Sequence, residues 1–173
     1  MAPHLLVAYA SKHGSTREIA ETIGETLDAA GLTVDVRPAR DVRDLTPYGA
    51  VVLGSALYSA HWQREANRFI KAHRDALRDR PVWLFSSGPL DQSANQADIP
   101  MTEHVGRDVE PVGARGHRTF GGRLLPGTPG VDEALLATHR TGDFRDWDAI
   151  RGWARGIAEA LLAEPATPDD GPP

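Results

Sequence analysis

Ser11, Lys12, His13, Gly14, Ser15 and Thr16 stand in a row just after the apolar run Leu5 to Ala8. From Ser15 onward the apolar residues fall at helical spacing, so these six residues occupy a strand-to-helix turn. Such a turn offers hydroxyls, a cation and backbone N–H groups that the helix itself leaves unpaired, at the positive end of its dipole. That is the chemistry of a phosphate site. A second reading is local: Ser15-Thr16-Arg17-Glu18 matches a capping box, with Ser15 and Glu18 closing the helix end. Both readings can hold, because capping uses one or two donors and leaves others. The glycine signatures of dinucleotide and nucleoside-triphosphate loops are absent.

Two further loops carry groups suited to a planar ligand. Gly54 to Trp62, "GSALYSAHW", holds Tyr58, His61 and Trp62. A flat heteroaromatic ring needs an apolar wall, and an aromatic side chain supplies one. Trp62 and Tyr58 read equally as anchors between loop and helix, and the neighbouring turn favours a ring-binding role for at least one. His61 is the titratable loop residue placed to give a proton near such a ring. Ser86 to Ala97 has no aromatic residue but offers Gly88 and backbone donors.

These loops need a scaffold. Leu5 to Ala8 and Ala50 to Ser55 read as strands covered on both faces. Leu32 to Val36 alternates like a half-buried edge strand. Pro81 to Gly88 and His117 to Leu124 read as further strands. Ile19, Ile23, Leu27 and Ala30 mark one helix stripe, stopped by Gly31. Ala66, Phe69, Ile70, His73 and Leu77 mark a second helix over Gln63 to Leu77. Trp147 to Leu162 is a third, with Asp146 as its cap and Trp147, Ile150, Trp153, Ala154, Ile157, Ala158 and Leu161 facing inward. The stretch Asp91 to Arg115 is less regular, with a short helix suggested over "MTEHVGRDVE". Strands alternating with helices imply an α/β fold, a parallel sheet with helices on both sides, and five strands fit the doubly wound order 2-1-3-4-5. Ligands in such folds bind beyond the carboxyl ends of the strands, where all three loops lie.

Composition narrows the function. The 173 residues suit one domain, with 40% hydrophobic and 25% charged residues, as in ordinary globular proteins. A net charge of -5 argues against a nucleic-acid surface. With no cysteine, disulfides, thiolate metal sites and cysteine nucleophiles are excluded. The seven histidines show no metal-ligand spacing, so no metal is expected. Ser86-Ser87-Gly88 is no nucleophile elbow. No stretch is long and apolar enough for a membrane span, and a cytoplasmic location is expected. The end of the chain, 164–173, is rich in proline and acid and reads as a disordered tail.

The segments "YASKHGSTREIAE", "GSALYSAHW" and "SSGPL", each after a strand, resemble the flavodoxin superfamily. More narrowly, "RTFGGRL" and "DFRDWDAIRGWARGIAEAL" are similar to bacterial flavodoxin-type protoporphyrinogen oxidases. The resemblance covers roughly residues 4 to 163 and implies a flavodoxin-like three-layer sandwich that binds FMN, with residues 1–163 as the binding domain. By it, Ser11, Lys12, His13, Gly14, Ser15 and Thr16 hold the phosphate. Ala56, Leu57, Tyr58 and Trp62 border the isoalloxazine, and Ser87, Gly88 and Pro89 close its other side. The implied activity is that of an FMN-dependent oxidoreductase, with a protoporphyrinogen oxidase or a related flavin reductase as the narrower form. The alternative is a one-electron carrier serving a partner protein. A third reading is an interaction protein that keeps the fold without the cofactor. The third loop lacks an aromatic and the net charge is modest, which weakens the carrier reading and leaves a ring face open to a flat substrate. Leu125 to Gly142 stands where quinone-using relatives carry a longer apolar and basic insertion. That difference speaks against membrane docking and quinone use.

Overall fold

The computed structural model describes residues 2–165. The tail expected over 164–173 therefore falls, from 166 onward, outside the described residues. In chain order the strands are β1 (His4–Ala10), β2 (Thr33–Pro38), β3 (Ala50–Tyr58), β4 (His61–Trp62), β5 (Val82–Ser87), β6 (Gly116–Phe120), β7 (Arg123–Leu124) and β8 (Gly142–Asp143). The helices are α1 (Ser15–Ala29), α2 (Arg64–Ala72), α3 (Arg74–Arg78), α4 (Ser93–Gln96), α5 (Glu103–Val109), α6 (Glu133–Thr138) and α7 (Trp147–Ala163).

Five parallel strands pair in the order β2-β1-β3-β5-β6. Setting aside the two-residue β4, which folds back on β3, this is the expected order 2-1-3-4-5. The register runs Val7 beside Val36 and Val52, Leu53 beside Leu84, and Phe85 beside Arg118. β1 shows why a central strand reads as a continuous apolar run. Leu6, Ala8 and Ala10 enter one core, with Trp62, Phe69, Ile70, Leu77, Val105 and Val109. Leu5 and Val7 enter the other, with Ile19, Ile23 and Leu27 of α1 and Ile150, Ile157 and Leu161 of α7. Each layer buries one face of the sheet, and neither face is left to water.

Three expectations need correction. The helix expected over Gln63 to Leu77 breaks at His73, whose φ of -117° and ψ of 19° leave the helical region. Between Ile70 and Leu77 the inner stripe meets only His73. The bend lets Leu77 sink to 0% exposure while His73 rests, tilted, on Phe69 with ring centroids 4.8 Å apart. The strand expected over His117 to Leu124 is two pieces, β6 and β7, separated by Gly121 and Gly122. β7 leaves the main sheet and pairs antiparallel with β8. The third correction is the start of α1, taken up with the site. The cap of α7 stands as expected, Asp146 Oδ1 accepting from the Ala149 N–H at 3.0 Å.

The hairpin between β3 and β4 turns through Ser59 (φ 48°) and Ala60 (φ 66°), both left-handed without being glycine. A left-handed backbone costs an alanine about 1–2 kcal/mol, and glycine adopts it freely. Ala60→Gly is expected to stabilise the protein by about 0.5–1 kcal/mol, after the entropy that glycine adds to the unfolded chain. Urea unfolding of the two proteins measures it.

Candidate functional site

The carboxyl ends of the strands open on a cleft of about 230 Å³. The first loop contributes Ser11, Lys12, His13, Ser15 and Thr16 to its lining, and the second contributes Ala56, Leu57, Tyr58 and Ser59. Ser87, Gly88 and Leu90 come from the third. The three loops thus meet in one place, as their positions after parallel strands require.

The start of α1 is not the expected capping box. Gly14, at φ 87°, is the cap residue, and no side chain accepts a bond from the helix end. Its own N–H goes to Ser11 Oγ at 3.1 Å. The left-handed turn at Gly14 moves Ser15 into the first helical position. There its Oγ is buried and has no hydrogen-bond partner among the described residues. The N–H groups of Ser15, Thr16 and Arg17 have no carbonyl inside the helix to bond. Glu18 does not reach back to the cap either. It turns to Arg123 and Arg145.

His13 Nδ1 approaches the Pro129 carbonyl at 3.3 Å, while its Nε2 is buried without a partner among the described residues. The segment between β7 and β8 therefore folds back over the first loop, and a Cβ on Gly130 would sit 3.2 Å from the His13 ring. That segment brings Leu135 of α6 and the following His139 to the cleft. The face expected to stand open is therefore lined in part by a helix.

Tyr58, 37% exposed, stands at the mouth, edge-on to His13 with centroids 6.2 Å apart and with Lys12 Nζ 5.4 Å from its ring centre. Burial raises the pKa of its hydroxyl, which keeps it a neutral donor at ordinary pH. A side chain at Gly88 would collide with Leu57, whose Cβ lies 2.9 Å from the added carbon. Glycine there lets the second and third loops touch.

Four proposed residues lie elsewhere. Trp62 is 4% exposed, and its Nε1 donates to Ser86 Oγ at 2.9 Å. Its indole belongs to the core rather than to a ring wall, because β4 turns it back under the sheet. Gly14 shapes the turn without lining the cleft. The Pro89 carbonyl accepts from the Gly122 N–H at 2.9 Å and ties the third loop to the break after β6. His61 is exposed and stacks on His104 at 4.0 Å, its Nδ1 2.8 Å from the Ser59 carbonyl. It is not placed to give a proton inside the cleft.

Gly122, Arg123 and Leu124 line the cleft, and no motif announced them. The paired glycines in "RTFGGRL" were the available signal, since glycine inside a strand pattern marks a break or a close approach. Lys12, His13, Arg123 and His139 are the titratable groups of the lining together with Tyr58, and no carboxylate is among them. A chain of net charge -5 thus presents a cleft lined by Lys12 and Arg123, the latter paired to Glu18 from outside the lining. Among the described residues, no group of three or more His, Asp or Glu is arranged to hold a metal ion, and no helix is long and apolar enough to cross a membrane.

Known proteins resemble this chain in sequence and in fold. The model of the flavodoxin domain family matches residues 6–126. The protoporphyrinogen IX dehydrogenase (quinone) of Escherichia coli is 26% identical over 83 residues, 47% of this chain and 46% of that enzyme. The match thus spans about half the length of that relative. Oxidised flavodoxin 2 from Bacillus cereus superposes with a TM-score of 0.63 at 22% identity, covering 91% of this chain and 99% of that one. The rubredoxin oxygen:oxidoreductase of Desulfovibrio gigas superposes with a TM-score of 0.65 at 16% identity, over 95% of this chain and 37% of that protein.

Proposed function

This chain belongs to the flavodoxin domain family, and on that premise we propose that residues 1–163 bind FMN in the cleft and act as a cytoplasmic oxidoreductase. One observation carries the reading. Ser15 Oγ is buried and unpartnered at an open helix start, inside a cleft whose lining holds cations and no carboxylate. A buried hydroxyl without a partner is uncommon and points to a missing ligand. A phosphate monoester at the start of α1 would accept from Ser15, Thr16 and the free N–H groups of the first turn.

The flavin supplies the redox chemistry when bound. The protein's part is anchoring, orientation and electrostatics. Ser11, Lys12, His13, Ser15 and Thr16 would hold the phosphate end. Ala56, Leu57, Tyr58, Ser87 and Gly88 would border the ring, with Gly14, Trp62 and Pro89 supporting the loops from behind. Leu124 and Leu135 add apolar surface where the third loop has no aromatic. A two-electron oxidoreductase acting on a flat substrate, in the manner of a protoporphyrinogen dehydrogenase, is the narrower form of this reading. It is supported by the half-length likeness to that enzyme. An electron carrier to a partner protein is the other form. A potentiometric titration separates them, since a carrier requires two one-electron steps at well-separated potentials.

Titration of FMN into protein stripped of flavin tests the central claim. Saturable one-to-one quenching of flavin fluorescence is expected, and its absence in folded protein would sink the reading. Ser15→Ala sharpens the test. The hydroxyl makes no bond in the free protein, so its loss should leave stability within about 0.5 kcal/mol. FMN affinity should nevertheless fall about tenfold, the worth of one hydrogen bond to a charged group.

A further inference from the structure

Arg123 is held more tightly than its own bonding explains. Its side chain is 19% exposed and carries five N–H donors. Among the described residues it makes one hydrogen bond, from Nη1 to Glu18 Oε2 at 2.9 Å. Its Nη2 lies 3.9 Å from the position a Cβ on Gly14 would take, which sets the guanidinium beside the start of α1.

The neighbouring Arg145 differs. It meets Asp143 through two bonds, Nε to Oδ1 at 2.9 Å and Nη2 to Oδ2 at 2.7 Å, and also bonds Glu18. Its guanidinium lies 4.5 Å from the centre of the Trp147 ring. Two arginines and two carboxylates make a neutral set, and each of the three Arg145 side-chain nitrogens bonds within it. What stays open is the remaining donor set of Arg123, which lines the same cleft as Ser15, whose Oγ is unpartnered among the described residues. Donors from two segments, β7 and the first turn of α1, fit an acceptor with several oxygens. The planar arginine fork suits such a group better than a single hydroxyl does.

We propose that Arg123 makes the cleft selective for phosphorylated flavin over flavin lacking phosphate, by donating from Nη2 to the phosphate held at the start of α1. Glu18, itself braced by Arg145, positions the guanidinium for that contact. The inference rests on the FMN reading and adds the residue that sets its ligand preference.

The test compares FMN and riboflavin affinities of the wild type, Arg123→Gln and Arg123→Lys, with thermal unfolding of each free protein as a check on folding. The wild type is expected to prefer FMN. In Arg123→Gln, FMN affinity should fall about 10- to 100-fold, while riboflavin affinity stays within about twofold. Arg123→Lys should recover part of the loss, because it keeps the charge and loses the fork. Equal weakening of both flavins in Arg123→Gln, or no weakening of either, overturns the proposal. A wild type that binds both flavins equally overturns it while leaving the flavin site standing. A wild type that binds neither removes the FMN reading itself. Should Arg123→Gln fail to fold, the wild-type preference and Arg123→Lys decide the matter by the same criteria.

Discussion

Gly121→Ala is expected to lower stability by about 3 kcal/mol and to weaken flavin binding together with it. A Cβ at this buried position would sit 2.0 Å from the carbonyl oxygen of Phe144. The obstacle is backbone, so no rotamer change relieves it. β6 and the chain after β8 would have to separate, and the Phe144 N–H would lose its 2.9 Å bond to the Gly122 carbonyl. Gly122 and Arg123 line the cleft directly beyond. The strain therefore passes from a packing defect to the site. Urea unfolding gives the stability, and an FMN titration on the folded fraction gives the binding. A variant with wild-type stability would mean that the two segments part at little cost.

The second large effect concerns the charges that brace the site. Arg145 is 4% exposed and depends on Glu18 and Asp143 for its partners. The double variant Glu18→Gln, Asp143→Asn would leave a nearly buried guanidinium without a counter-charge. Losses on breaking such pairs run about 3–5 kcal/mol, and the low end is expected here because the two carboxylates are 43% and 39% exposed. The pH dependence has a definite sign. Burial pushes the Glu18 carboxyl up, but the hydrogen bond and charge of Arg145, with the charge of Arg123, outweigh it and hold the pKa below its ordinary value. The Arg145 hydrogen bonds lower Asp143 likewise, against a smaller opposing effect of burial. A carboxylate depressed in the folded state stabilises it above the unfolded pKa, and that stability is lost as pH falls through the folded value. The gap between wild type and double variant should therefore be full at pH 7 and close on acidification below the usual carboxylate range. Urea unfolding across that range measures it. A gap independent of pH would show that the cost was packing rather than charge.

Much of the scaffold is legible in the chain because its signals are local. β1 and β3 read as doubly covered strands since both faces of a central strand are buried, and no polar alternation interrupts them. The Ile19, Ile23 and Leu27 stripe on α1 and the Asp146 cap of α7 depend on spacing within one element, and the structure keeps both, while Ala30 falls past the helix and is exposed. The convergence of three loops follows from parallel strands alone, whose carboxyl ends all lie on one edge of the sheet.

What the sequence could not determine are the choices between equally good partners. Ser15 and Glu18 carry the spacing of a capping box, and only a positive φ at Gly14 and two distant arginines pull both side chains away from it. Trp62 had two credible places, and the chain turn at β4 put its indole in the core, where Ser86 accepts its N–H. Arg123, Leu135 and His139 reach the cleft from beyond β6, through a glycine break and a ribbon whose pairing joins residues nearly twenty positions apart. By itself, then, the sequence determined the parallel sheet and the strand-to-helix turn from Ser11 to Thr16, because these follow from periodicity and chain direction. The tertiary structure alone decided which side chains face the cleft and which brace it, because that depends on long-range pairing of charges and on backbone contacts that allow no side chain between them.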